Sequence, residues 1–168
     1  KKDFREEEQD DFEVLLDTFH DRRTGYVFIT NAEGARADRQ VANEGREVNT
    51  SWDAVWTVKT RRVADGWTVE MAIPFRSLRY DFASAPEWGI NFARHIRRKN
   101  EVNFWAPVPR AFTFTRVSVA GVLTGIAHGG SARDLRVKPY VAVRTVRETG
   151  AARFGNSAEA GLDLKYGV

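Results

Sequence analysis

The chain has 168 residues, 26 Lys plus Arg, 23 Asp plus Glu and no Cys. The missing Cys excludes a disulfide framework, a zinc–thiolate site and a Cys nucleophile. A hydrophobic fraction of 42% with 12% aromatics excludes disorder, and no run approaches the ~18–20 apolar residues of a membrane helix.

The length fits one ordinary domain, or a small domain with an appendage. The chain opens on Lys1 without Met, and is expected to be a piece of a longer protein. Charge is uneven: residues 1–21 carry a net −6 and the remainder +9, with 20 Arg against six Lys. Guanidinium groups form planar, bidentate, partly buried pairs that ammonium groups do not.

Strand signals follow one another along the chain. Phe12–Asp17 and Gly25–Thr30 are apolar, β-branched and aromatic, and read as an antiparallel hairpin across the polar loop 18–24. Residues 32–51 lack periodicity and read as a long loop. Trp56–Val63 and Trp67–Phe75 read as a second hairpin about Asp65-Gly66. In the return strand every odd residue from Trp67 to Phe75 is apolar, and Pro74 ends the ladder. Arg76–Tyr80 suits one helical turn. Trp88–Arg97 alternates again. The stretch 105–114 reads as an irregular crossing, and Val117–Ile126 as a strand interrupted by glycines. Residues 127–132 form the best linker. After it, 135–144 and 158–166 each alternate apolar with charged residues over about ten positions. That pattern matches membrane β-barrel strands, although on pattern alone an ordinary half-solvated hairpin is the favoured reading, because the barrel signal per strand is weak.

The runs Gln9–Asp17, Thr24-Gly25-Tyr26, Asp65–Pro74 and Trp88–Phe92 resemble the carbohydrate-binding module family 9-like domains, which are β-sandwiches. They look closest to the version that precedes an outer-membrane β-barrel domain of unassigned function in Gram-negative bacteria. Leu16–Tyr26 is similar to that group almost word for word. So is the arginine-rich strand holding Arg94, Arg97 and Arg98, followed by Asn100-Glu101 and Trp105. The resemblance implies an all-β fold: a jelly-roll-like antiparallel sandwich, N-terminally truncated, over residues 1–128. It implies a linker and the first barrel strands over residues 129–168. It also implies a non-catalytic module for carbohydrate, linked to carbohydrate catabolism, in the outer membrane and periplasm. Its partners would be a saccharide, its own barrel and, through that barrel, the membrane. The alternatives are a structural or gating domain of the barrel without a small-molecule ligand, and a glycoside hydrolase fragment.

Sugar recognition uses flat aromatic faces beside charged or amide groups. Trp67 and Trp88 fall on apolar strand faces and are expected in the core. Trp52 and Trp105 lie in or beside loops and are the expected platforms. By resemblance, Glu13 matches the family's sugar-binding Glu and Trp105 its second Trp. Glu7 stands where the first Trp would be, and Ala93 where an amide would be. Arg94 continues the apolar face of its strand, so a buried pair with Glu70 is expected. Arg97 joins it among the candidate ligand-binding residues. Calcium is a candidate cofactor through Asp10, Asp11, Asp17 and Asp21, although their spacing is not that of a calcium loop. Nucleic acid is not an expected partner, because a basic run on a strand is split between two faces. Catalysis has thin support: the acid pairs, Glu70 with Asp81 or Glu101, are generic, and no Gly-x-Ser-x-Gly elbow accompanies the three His.

Overall fold

The computed structural model describes Phe4 and residues 8–126, 134–146 and 155–167. The chain divides into two compact units, Lys1–Gly129 and Gly130–Val168. The described residues are all-β and antiparallel, with single 3-10 turns and no α-helix.

In the first unit β1 (Asp11–Asp17), β2 (Gly25–Asn31), β3 (Arg36–Ala42) and β4 (Glu47–Asn49) follow one another. Next come β5 (Thr57–Val63), β6 (Gly66–Ala72), β7 (Trp88–Ile96), β8 (Glu101–Phe104) and β9 (Gly121–Leu123). The main sheet runs β4-β3-β2-β1-β7-β8, and β9 pairs with β7. β8 pairs with the Ala93–Ile96 half of β7 and β9 with its Trp88–Ile90 half. β5 and β6 form a separate hairpin. Its Val58 and Met71 pack with Val14, Leu16, Tyr26 and Phe28 of the sheet, which makes the arrangement sandwich-like.

The expected loop over 32–51 instead contains β3 and β4. The signal is hidden because β3 offers only Ala37 and Val41 to the core, both buried against β2, while Arg36, Asp38, Arg39 and Gln40 are polar. One of these, Asp38, is buried because Trp56 Nε1 donates to its Oδ2 at 2.9 Å. The β5–β6 hairpin forms as expected, but Gly66 opens β6 and neither Ala64 nor Asp65 has a positive φ. The helical turn falls at Phe75–Ser77 and the irregular crossing lies between β8 and β9.

Every residue of β2 is buried, and β1 nearly so, because both faces of the sheet are covered. Alternate residues point to opposite faces, so the register assigns each one. One face carries Val14, Leu16, Tyr26, Phe28 and Trp88 beneath the hairpin, Trp56 and the aromatic segment Phe75–Phe82. The other carries Leu15, Val27, Ile29, Ala37, Val41 and Ala93 beneath Phe114 and Val117. The wholly buried Asn91 fastens that second cover. Its Nδ2 donates to Ala106 O at 3.1 Å, and its Oδ1 accepts from Ala106 N at 2.8 Å.

The β1–β2 loop is built on carboxylates. Asp17 Oδ1 and Oδ2 accept from Asp21 N and Arg22 N at 3.2 and 2.8 Å. Asp21 accepts from Arg23 N, Thr24 N and Thr24 Oγ1. These bonds hold His20 and Arg22 at φ 49° and 58°, where an L-residue is seldom found. Gly89, opposite Asp17, gives that side chain room: a Cβ there would lie 2.9 Å from Asp17 Cβ.

In the second unit β10 (Asp134–Val146) and β11 (Gly155–Gly167) form a hairpin. Its register sets Leu135, Val137 and Val141 opposite Tyr166, Leu164 and Ala160, and Lys138 opposite Asp163. The expected linker 127–132 lies outside the described residues.

Candidate functional site

The five expected ligand-binding residues are distributed over three places. Glu13 and Arg97 lie by one buried polar cluster, Trp105 and Arg94 share an open surface, and Trp52 is elsewhere.

The polar cluster sits where β1 meets β7. Asp11 and Glu13 are two residues apart and share a face, and His95 is directly opposite Asp11. His95 Nδ1 lies 2.5 Å from Asp11 Oδ1 and 3.4 Å from Glu13 Oε1. Asp11 is 0% exposed and Glu13 7%. The hydrogen bond to Asp11 holds the His95 pKa above its ordinary value; burial opposes this, and the Asp11 and Glu13 charges reinforce it. Arg97 stands at the rim. Its Nη2 is 3.6 Å from Asp11 Oδ2 and its Nε donates to Gln9 O at 3.1 Å. Its backbone N–H donates to Asp10 Oδ1 at 2.7 Å.

The open surface is on the opposite face of the sheet. Trp105, 59% exposed, follows β8 directly. Its backbone N–H donates to Phe92 O at 3.0 Å, and its ring meets Phe92 edge-on with centroids 5.8 Å apart. Phe92 in turn stacks on Phe12 at 5.9 Å. The indole lies over Gly121 of β9, where a Cβ would collide with it. Arg94 and Asn103 face each other across β7 and β8 on the same side, and both are exposed. A flat indole is thus set beside a guanidinium and an amide. Glu13 points to the other face, so it does not join Trp105.

Two expectations about these residues are corrected. Arg94 is not in a buried pair with Glu70, since both are exposed; the apolar face of β7 continues to Arg94, but the hairpin cover does not reach it. Trp52 is no open platform. It is half-buried, with its ring 4.8 Å from Tyr26 and 5.9 Å from Phe28, because the apolar face of β2 recruits the loop before β5.

Trp88 is in the core as expected, whereas Trp67 is half-buried at the wall of a cleft of about 400 Å³. Gln9, Asn31, Glu33 and Arg62 also line the cleft. There Arg62 pairs with Glu33, and Asn31 Nδ2 donates to Gln9 Oε1. The four aspartates considered for calcium do not converge. Asp17 and Asp21 are engaged by backbone N–H groups, Asp10 by Arg97 and Asp11 by His95. Among the described residues, the group of three potential metal donors is Asp11, Glu13 and His95. Sequence reasoning did not single out Asp11–His95 as a pair, nor Phe92 and Asn103 as neighbours of Trp105. Both follow from strand register, which no local pattern in the chain states. Of the acid pairs weighed for catalysis, Asp81 is spent on its own loop, where its carboxylate accepts from Ala83 N and Ser84 Oγ.

Comparison with family models, with curated proteins and with solved structures returned no match.

Proposed function

We propose that this protein is a non-catalytic saccharide-binding module, and that its binding surface is the open face around Trp105. The observation that carries the reading is the Trp105 indole, exposed on one side and braced on the other by Phe92 and Gly121. A sugar ring stacks its C–H face on such an indole, while Arg94 and Asn103 offer hydrogen-bond donors to adjacent hydroxyls. A braced ring loses little conformational freedom on binding. The family 9-like jelly roll and the barrel beyond it belong to the same proposal. Its support is the resemblance of Gln9–Asp17 and Leu16–Tyr26, the sandwich-like all-β fold and the apolar-to-apolar register of β10 with β11. On that reading residues 129–168 begin an outer-membrane barrel, and the module works in the periplasm.

Calorimetry over a panel of neutral and acidic oligosaccharides tests the binding surface, with wild type beside Trp105→Ala. Wild type is expected to bind at least one member, and the variant to lose tenfold or more. Flat traces across the panel, or equal affinity for both proteins, would sink the reading. Flat traces would favour a structural or gating role without a small-molecule ligand, to which the burial of Glu13 away from Trp105 already lends support.

A further inference from the structure

Two carboxylates with a shared location inside a sheet need positive charge, since both burial and mutual repulsion oppose their ionised forms. Asp11 and Glu13 are in this position, held side by side on a central strand. Ala93 is opposite Glu13 and His95 opposite Asp11 on the neighbouring strand. Asp11 Oδ1, Glu13 and His95 thus face one another, and one ligand atom from each residue lies within 4.8 Å of the others. Among the described residues Asp11 Oδ2 is buried and has no hydrogen bond, and Arg97 Nη2 stands 3.6 Å from it.

We propose that Asp11, Glu13 and His95 form a binding site for a divalent transition-metal ion of the zinc class, reached from solvent past His95 and Arg97. The donor set is one imidazole nitrogen and two carboxylate oxygens. Imidazole suits zinc, nickel and cobalt, whereas calcium and magnesium take oxygen ligands almost alone. Three protein donors leave a tetrahedral ion one position for water. Metal–ligand bonds of about 2.0–2.2 Å set neighbouring donors roughly 3.3–3.5 Å apart. His95 Nδ1 and Glu13 Oε1 already have that spacing at 3.4 Å. His95 Nδ1 and Asp11 Oδ1 must open from 2.5 Å by roughly one ångström. The His95 ring has the freedom to do so: it is partly exposed, and its strand ends one residue later in the 3-10 turn Arg97–Lys99.

Charge points the same way. A divalent ion beside two carboxylates and a neutral imidazole makes a neutral set. The Arg97 guanidinium, about one-third exposed, can then turn from Asp11 toward water. The site shares Asp11 alone with the four aspartates considered for calcium, and the histidine is what changes the class of ion.

The test is calorimetric titration of the whole 168-residue chain with zinc chloride and, separately, calcium chloride. Saturable 1:1 zinc binding is expected, at least tenfold tighter than calcium. His95→Gln and Glu13→Gln should each weaken it tenfold or more, and His20→Gln should leave it unchanged. No saturable zinc uptake, unaltered affinity in His95→Gln, or calcium bound as tightly as zinc would each overturn the assignment. If the variants fail to fold, the imidazole resonances of wild type decide. Zinc should move those of His95 at equimolar metal and spare those of His20, and a still His95 signal overturns the proposal.

Discussion

Asn91→Ala tests whether the cover over the second core face, and the position of Trp105, hang on one amide. The wild-type side chain is wholly buried and satisfies both the N–H and the C=O of Ala106, at 2.8 and 3.1 Å. Truncation leaves both backbone groups without that partner. A buried unsatisfied group costs about 1–3 kcal/mol, but Ala106 is half-buried, so water reaches it and the lower end applies to each group. The expected loss is therefore about 2–3 kcal/mol. For a domain of this size that lowers the melting temperature by roughly 5–10 °C. The loss should be local as well as global. Trp105 precedes the clamped residue, so acrylamide quenching of its fluorescence should rise in the variant before any melting. Circular dichroism melts and urea titrations give the stability change. A loss under about 0.5 kcal/mol, the range of ordinary surface substitutions, with quenching unchanged, would refute the clamp.

Arg94→Ala should change stability by no more than about 0.5 kcal/mol, since the guanidinium is exposed; a urea-measured loss of several kcal/mol would restore a buried pair. Asp21→Ala should be destabilising at pH 7 and harmless in strong acid. Burial works to raise the Asp21 pKa, yet hydrogen bonds from Thr24 N, Thr24 Oγ1 and Arg23 N together lower it. Its stabilisation is thus fully present above the ordinary carboxylate pKa and vanishes as pH falls through the lower folded value. Melting curves of both proteins from pH 7 to 2 should converge, and a gap that stays constant with pH contradicts this. Gly121→Ala puts a methyl group where the indole lies, so Trp105 must lift away. Saccharide affinity should drop with Trp105 still present, and an unmoved Trp emission spectrum would show that the ring does not rest there.

β6 and β7 are legible because their periodicity matches the face they bury, and β1 and β2 because strands covered on both faces read as near-continuous apolar, β-branched runs. β3 is not, since Ala37 and Val41 are small and Asp38 owes its burial to Trp56, 18 residues away in sequence. For Arg94 the sequence pattern gives the correct face but not the environment, which is exposed. Alternation along β7 states which way a side chain points, but the extent of the covering hairpin decides whether the side chain is dry. The same limit applies to the site. The aromatic at 105 was visible as a platform, yet its neighbours Arg94 and Asn103 come from pairing between β7 and β8. The Leu16–Tyr26 run carried much of the family resemblance. In the structure Asp17 and Asp21 use it to hold a strained loop closed, so its sequence specificity has a sufficient structural cause.

The three acids on one face of β1 separate by what neutralises them. Asp17 is buried, and desolvation raises its pKa, yet its oxygens accept from backbone N–H groups of the loop it organises. No ligand displaces those donors without opening the loop. Asp11 and Glu13 meet side chains instead, from His95 and Arg97 at the solvent boundary. Side chains there can turn away while the strands stay paired. Apolar residues at these two positions would merely extend the Leu15, Val27 and Ile29 core, and replacing buried charges in that way is often neutral or stabilising. Stability alone therefore accounts for Asp17, and asks a further reason for a buried Asp11 whose Oδ2 accepts no hydrogen bond. An exchangeable cation supplies one, because it needs carboxylates that are fixed in the core and a counter-charge that can leave.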